Sequence, residues 1–126
     1  MNNNCMICGT DALVGIGMYD LNKKYKKYNK EYAYNFILEK YKDTEYMKNG
    51  FPVFWNYDFL KINNCMILSS AILDSNLIYK VGKFKITSKG DEDYDYWLRC
   101  LKYTDLLYIN RALIYYDLGH GNGKKY

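Results

Sequence analysis

With 126 residues, 49% of them hydrophobic, the chain is long enough for one domain with a real core and too apolar for a disordered segment. The net charge of +4 is modest and does not by itself argue for a nucleic-acid partner. No stretch reaches the ~20 apolar residues of a membrane span. Met1-Asn2-Asn3-Asn4 lacks the basic start and apolar run of a secretory leader. The expected setting is therefore cytoplasmic and reducing, with the four cysteines as free thiols.

Cys5-Met6-Ile7-Cys8 is a C-x-x-C. Such a pair suits a redox couple or half of a zinc site. Zinc needs two more ligands at workable spacing, yet Cys65 and Cys100 are isolated and His120 is the one histidine. No strand-helix context for a redox motif follows, so the pair reads as buried or strand-borne apolar side chains. Asn3-Asn4-Cys5-Met6-Ile7 recurs as Asn63-Asn64-Cys65-Met66-Ile67, but a single recurrence defines no repeat architecture.

Residues 12–19 read as a strand in which Gly15 and Gly17 allow a bend or a close approach. Asp20-Leu21-Asn22-Lys23 has the composition of a turn. Residues 25–32 are ambiguous. Tyr25, Tyr28 and Tyr32 at i, i+3 and i+7 suit a helix, and a hairpin partner for the first strand is equally consistent. Lys23, Lys24, Lys26, Lys27 and Lys30 interleave with tyrosines here, the one candidate nucleic-acid patch. Glu31, Glu39, Asp43 and Glu45 soon dilute that charge, which favours a solvated hairpin over a nucleic-acid surface.

Residues 32–46 read as a helix, broken by Asn49-Gly50-Phe51-Pro52, and 57–62 as a short helix. The apolar run 65–73 has the length of a buried strand, with Ser69 and Ser70 in its middle. Asp74-Ser75 can cap a helical turn that Gly82 ends. A polar loop, 85–90, leads to Asp91-Glu92-Asp93-Tyr94-Asp95-Tyr96-Trp97-Leu98-Arg99, and two strands follow, 106–109 and 113–116. The glycine-rich tail, 119–125, is expected to be mobile unless a ligand orders it.

The acidic stretch organises the chain. Tyr94, Trp97, Leu98 and Leu101 form the apolar stripe of an amphipathic helix. Asp95 and Arg99 stand four apart on another face, acid first. The positive pole of the helix suits one or two acids at its start. Asp91, Glu92, Asp93 and Asp95 together repel one another and require a cation, a substrate or solvent between them.

Several of these pieces resemble one family in order and spacing. Asn64-Cys65-Met66-Ile67-Leu68-Ser69-Ser70 is similar to the Asn, apolar run and Ser pair of family 2 glycosyltransferases. Leu77-Ile78-Tyr79-Lys80-Val81-Gly82-Lys83-Phe84 resembles the segment that follows it there. Glu92-Asp93-Tyr94-Asp95-Tyr96-Trp97-Leu98-Arg99 resembles the family's Glu-Asp-Tyr-Asp-Leu-Trp-Leu-Arg almost residue for residue. Ile109, Asn110 and Tyr116, then His120, are similar to its closing strands, with Asp117 where a basic residue is common. The resemblance spans about residues 57–120. Less specifically, 12–28 resembles the preceding strand-turn-strand.

The resemblance implies an α/β fold, the acceptor side of a GT-A domain: a mixed sheet flanked by helices, with residues 1–126 as one domain. The implied activity is inverting transfer of a sugar from a nucleotide-sugar donor to the hydroxyl of a sugar or glycan acceptor. Asp93 is then the general base and Glu92 a neighbour that tunes or binds. Acceptor-binding candidates are Trp97, Asp95 and Ser69. Trp97 has the competing role of core packing, from its place on the apolar stripe, and Asp95 that of partner to Arg99. His120 is the candidate ligand for a divalent metal, manganese or magnesium. The family's separate Asp-x-Asp on a donor-binding half has no counterpart, since Asp91-Glu92-Asp93 and Asp93-Tyr94-Asp95 belong to the base motif. That implies a partner: an upstream donor-binding half, or self-association of a non-catalytic glycan- or protein-binding remnant.

Overall fold

The central strand β1 (Ile7–Gly15) is buried along most of its length, as a strand covered on both faces should be. The computed structural model describes residues 4–86 and 90–119. β1 starts at Ile7 rather than at residue 12, so Cys8 is strand-borne, and it ends where the chain turns away at Gly17, whose φ is 88°. Residues 25–32 resolve into both of the expected alternatives. β2 (Lys26–Lys27) pairs antiparallel with Leu13 and Val14, and a single π-helical turn, Tyr28–Tyr32, follows directly.

The expected helix over 32–46 shrinks to α1 (Tyr34–Lys40). The Thr44 hydroxyl donates to the carbonyl of Tyr41 at 2.7 Å and draws the chain into turns instead. After β3 (Phe54–Trp55), α2 (Tyr57–Ile62) spans the expected residues, its start capped by Asn56, which accepts from the Phe59 amide at 2.8 Å.

The run 65–73 is not one buried strand. Cys65, Met66 and Ile67 are buried, but Leu68–Ser70 form a 3-10 turn and only β4 (Ile72–Leu73) pairs, antiparallel to the start of β1. The serine causes the break: the Ser70 hydroxyl donates to the Ile67 carbonyl at 2.8 Å and accepts from the Thr10 amide at 3.1 Å. α3 (Ser75–Val81) begins at the Asp74 cap and ends at Gly82, φ 86°.

α4 (Glu92–Cys100) leads to β5 (Leu106–Asp117). The two expected strands are one strand with an irregularity, because Thr10, Asp11 and Ala12 of β1 pair in turn with Ile109, Ala112 and Ile114. β5 runs parallel to β1, and β3 pairs antiparallel with its start. The order β2-β1-β5-β3, with β4 also on β1, makes a mixed open sheet flanked by helices in an α/β fold. No helix among the described residues is long and apolar enough to cross a membrane.

Aromatic rings fill the core. Trp55 stacks on Tyr108 with centroids 4.3 Å apart, and Phe59 lies 5.1 Å from Trp55 and 4.7 Å from Tyr41. From α4 the core takes Tyr96, Trp97, Cys100 and Leu101, with Tyr94 and Leu98 at its margin. The buried face is thus rotated from the expected stripe. The shift follows from hydroxyl bonding, because Tyr94 can reach outward from that margin while Tyr96 caps α3. The Tyr94 hydroxyl donates to the Leu60 and Lys61 carbonyls at the end of α2, and the Tyr96 hydroxyl to the Gly82 carbonyl.

Two polar devices hold these parts together. The Asp11 carboxylate is fully buried, with no cation paired to it among the described residues. It accepts from the amides of Ala12 and Asn29 at 2.8 Å and of Lys30 at 3.1 Å, so it caps the π-helical turn from inside the sheet. Arg99 pairs with Asp95 at 3.0 Å and donates to the carbonyls of Val81 and Lys83, tying α4 to the end of α3. Asp11→Ala should lower the unfolding free energy by about 3 kcal/mol, since it strips buried donors of their acceptor. A urea midpoint within error of wild type would refute this. Arg99→Ala should cost about 2 kcal/mol, and Arg99→Lys should recover little, because only the guanidinium fork reaches three acceptors at once. Full recovery by lysine would show that charge alone suffices.

Candidate functional site

The C-terminal ends of β1 and β5 are locked together, and the lock shapes the edge of a cleft. Leu118 donates its amide to the Gly15 carbonyl at 2.8 Å. Asp117 Oδ1 accepts from the amides of Gly17 at 3.0 Å and Gly119 at 2.8 Å. The Tyr115 hydroxyl donates to the Gly17 carbonyl at 2.9 Å. Gly15 is required here, because a Cβ on it would come within 2.7 Å of Tyr115 Oη and 2.8 Å of the Tyr25 ring. Tyr19 and Tyr25 stack at 5.3 Å and both rings abut Tyr115, so the tyrosines of the Lys/Tyr stretch brace this corner.

The cleft holds about 490 Å³, within the usual range for small-molecule sites. The run from Asn64 to Ser69 lines it. Opposite and around it stand Tyr28, Tyr115, Tyr116 and Asp117, with Asp93 from the first turn of α4. Asn29 fixes the wall behind Tyr28: its side-chain amide donates to the Cys65 carbonyl at 3.0 Å and to the Tyr108 hydroxyl at 3.3 Å. The Tyr28 and Tyr116 rings lie 5.4 Å apart. Burial, reinforced by Tyr116 and then Tyr32, pushes the Tyr28 phenol above its ordinary pKa and keeps it neutral.

The candidate residues divide between the cleft and the rest of the molecule. Asp93 and Ser69 line the cleft together. Asp93 Oδ1 accepts from the Tyr94 amide at 2.8 Å, and no cation pairs with it among the described residues. Glu92, next to it in the helix, is half-buried and does not line the cleft. Asp95 is taken by Arg99. Trp97 is 1% exposed and packs in the core, where it borders a separate apolar hollow of about 480 Å³ with Leu68, Phe84 and Tyr96. Neither Asp95 nor Trp97 lines the cleft: Asp95 is held by Arg99 at the end of α3, and Trp97 goes into the core. His120 and the end of the tail lie outside the described residues.

Tyr28, Tyr115, Tyr116 and Asn64 were not singled out as binding residues, although Asn64 and Tyr116 stand within the strings that carry the resemblance. Asp117 was visible in the sequence only as a departure from a basic position. Among the described residues no group of three or more His, Cys, Asp or Glu is placed to hold a metal ion. Cys5 and Cys8 are free thiols whose pKa values are raised, chiefly by burial, which is the wrong direction for a reactive pair.

Chemically, the cleft offers a carboxylate at a helix start with no ion-pair partner among the described residues, a serine, the run Asn64 to Ser69 and three tyrosines. It can accept a proton from a hydroxyl and stack an apolar face. No family model matches this chain, and no curated protein or solved structure matches it.

Proposed function

We propose that the chain is the acceptor-side part of a family 2-like glycosyltransferase, with Asp93 as the general base. The observation that supports this most is the placement of Asp93, a carboxylate without an ion-pair partner among the described residues, in the wall of a small-molecule-sized cleft. Asp93 takes the proton of the acceptor hydroxyl as that oxygen attacks the anomeric carbon of the donor sugar. The new carbon–oxygen bond forms as the bond to the nucleotide diphosphate breaks, and the diphosphate leaves with the electron pair. Attack from the face opposite the leaving group inverts the anomeric centre. Ser69 lies where it can hydrogen-bond the acceptor.

Among the described residues no lysine or arginine lines the cleft, so none of them offers a diphosphate a positive partner there. The nucleotide sugar, and the divalent manganese or magnesium that holds its phosphates, belong on a donor-binding half that the cleft faces in the complete enzyme. Calorimetry with a panel of nucleotide sugars and manganese should therefore show no binding to the chain by itself, and tight binding would refute the division into halves. In a reconstituted enzyme, Asp93→Asn should lower turnover on the order of 10²–10⁴-fold with the fold intact. Undiminished turnover would remove Asp93 from the role.

A second reading is a non-catalytic glycan- or protein-binding module that self-associates. It is favoured by the outer edge of β5, which among the described residues is paired by β3 at Leu106 and Leu107 and by the Val53 carbonyl at the Tyr108 amide, near its start alone. An open edge is a template for strand pairing. Light scattering at high protein concentration should then report a dimer, and a clean monomer would discard this reading.

A further inference from the structure

The loop between β1 and β2 puts aliphatic side chains into solvent beside a run of lysines. Ile16, Met18 and Leu21 are 78%, 92% and 84% exposed. Lys23, Lys24 and Lys26 follow directly and are exposed too, with Lys27 half-buried and Lys30 exposed behind them. Residues 16–31 carry five lysines against two acids, Asp20 and Glu31, which is most of the chain's net charge of +4. Both acids are engaged by backbone amides: Asp20 Oδ1 accepts from Asn22 at 2.9 Å and Glu31 Oε1 from Lys27 at 2.8 Å.

The loop is braced in this shape. The Asp20 amide donates to the Tyr25 hydroxyl at 2.9 Å, and the Lys23 amide to the Asp20 carbonyl at 3.1 Å. Tyr19 stacks on Tyr25, and both rings abut Tyr115 at the end of β5. The Gly17 amide donates to Asp117, which lines the cleft, so the aliphatic tip stands at a corner beside it. Three long aliphatic side chains within six residues, rimmed by one sign of charge, mark an interaction surface.

Charge and side-chain type together select the partner. Lysines attract anions, and aliphatic side chains gain by leaving water for hydrocarbon. Nucleic acid would use the same lysines, but its bases stack on open rings, and the rings of Tyr19 and Tyr25 are packed on each other. We infer that this corner docks on an anionic lipid surface. Ile16, Met18 and Leu21 enter the outer hydrocarbon, while the lysines of 23–30 meet the phosphate headgroups. Docking holds the cleft close to the bilayer, whatever the cleft binds.

The test is sedimentation of the whole protein with vesicles of phosphatidylcholine, with and without roughly one-third phosphatidylserine. The anionic vesicles should bind it roughly tenfold more tightly, and added salt should erode that margin. Lys23→Glu combined with Lys24→Glu should weaken binding to them by roughly tenfold or more. Met18→Ser combined with Leu21→Ser should weaken it severalfold while the circular dichroism stays that of wild type. Met18→Trp should give indole emission that shifts to the blue on anionic vesicles and is quenched by brominated lipid. Sedimentation with neither vesicle would overturn the inference, and so would equal binding to both. Indole emission in Met18→Trp that the vesicles leave unchanged would show that the tip does not insert, which also overturns it. A single-stranded oligonucleotide that binds more tightly than the vesicles, unaffected by the two serine substitutions, would replace lipid with nucleic acid as the partner.

Discussion

A carboxylate buried without a counter-ion has to be solvated by the protein itself, and at Asp11 the solvation is three backbone amides. Two of them belong to the π-helical turn after β2, so the charge joins the sheet to the turn. The next link is Asn29, whose side chain reaches from that turn to the Cys65 carbonyl and the Tyr108 hydroxyl. β1, the π-helical turn, the wall 64–69 and β5 are therefore held by one hydrogen-bonded chain that starts at Asp11. Such a chain is rigid because leaving any one buried donor or acceptor unmade is expensive. It runs directly behind the cleft, so cleft shape and core integrity are coupled.

The register irregularity in β5 sits opposite Asp11. A regular parallel ladder would point each side chain at a fixed spacing, while extra residues on one strand re-aim those that follow. Here the residues that follow are Ile114, Tyr115, Tyr116 and Asp117, three of which line the cleft. Asn110 and Arg111, within the irregularity, are exposed. The buried acid and the bulge thus act on the same point of the sheet from its two central strands.

α4 is positioned from both of its ends. The Tyr94 hydroxyl satisfies carbonyls at the end of α2, and Tyr96 and Arg99 satisfy those at the end of α3. These contacts rotate the helix so that Trp97 goes inward and Asp95 toward Arg99. Asp93 is left facing the cleft. Of four acids near one helix start, the structure gives one to an ion pair and one to the cleft. The crowding that looked like a single electrostatic problem is divided among different neighbours.

Local chemistry was legible in the residues themselves. The Asp74 cap, the stop at Gly82, the α2 span and the i,i+4 pair of Asp95 with Arg99 all depend on groups within a turn of one another. The α/β class and the candidacy of Asp93 were readable for the same reason, from short strings of adjacent residues. What the sequence could not specify was every feature made between distant segments. The break of 65–73 at Ser70 needs the Thr10 amide, and the fusion of two expected strands into β5 needs β1 beside it. The departure of Trp97 from the acceptor set needs the core to claim its face of α4. The tyrosine wall joins Tyr28 to Tyr115 and Tyr116 across most of the chain, and no periodicity records it. Period and capping report what a segment does alone, while hydrogen bonds and packing between segments decide which of its faces meets solvent, core or ligand.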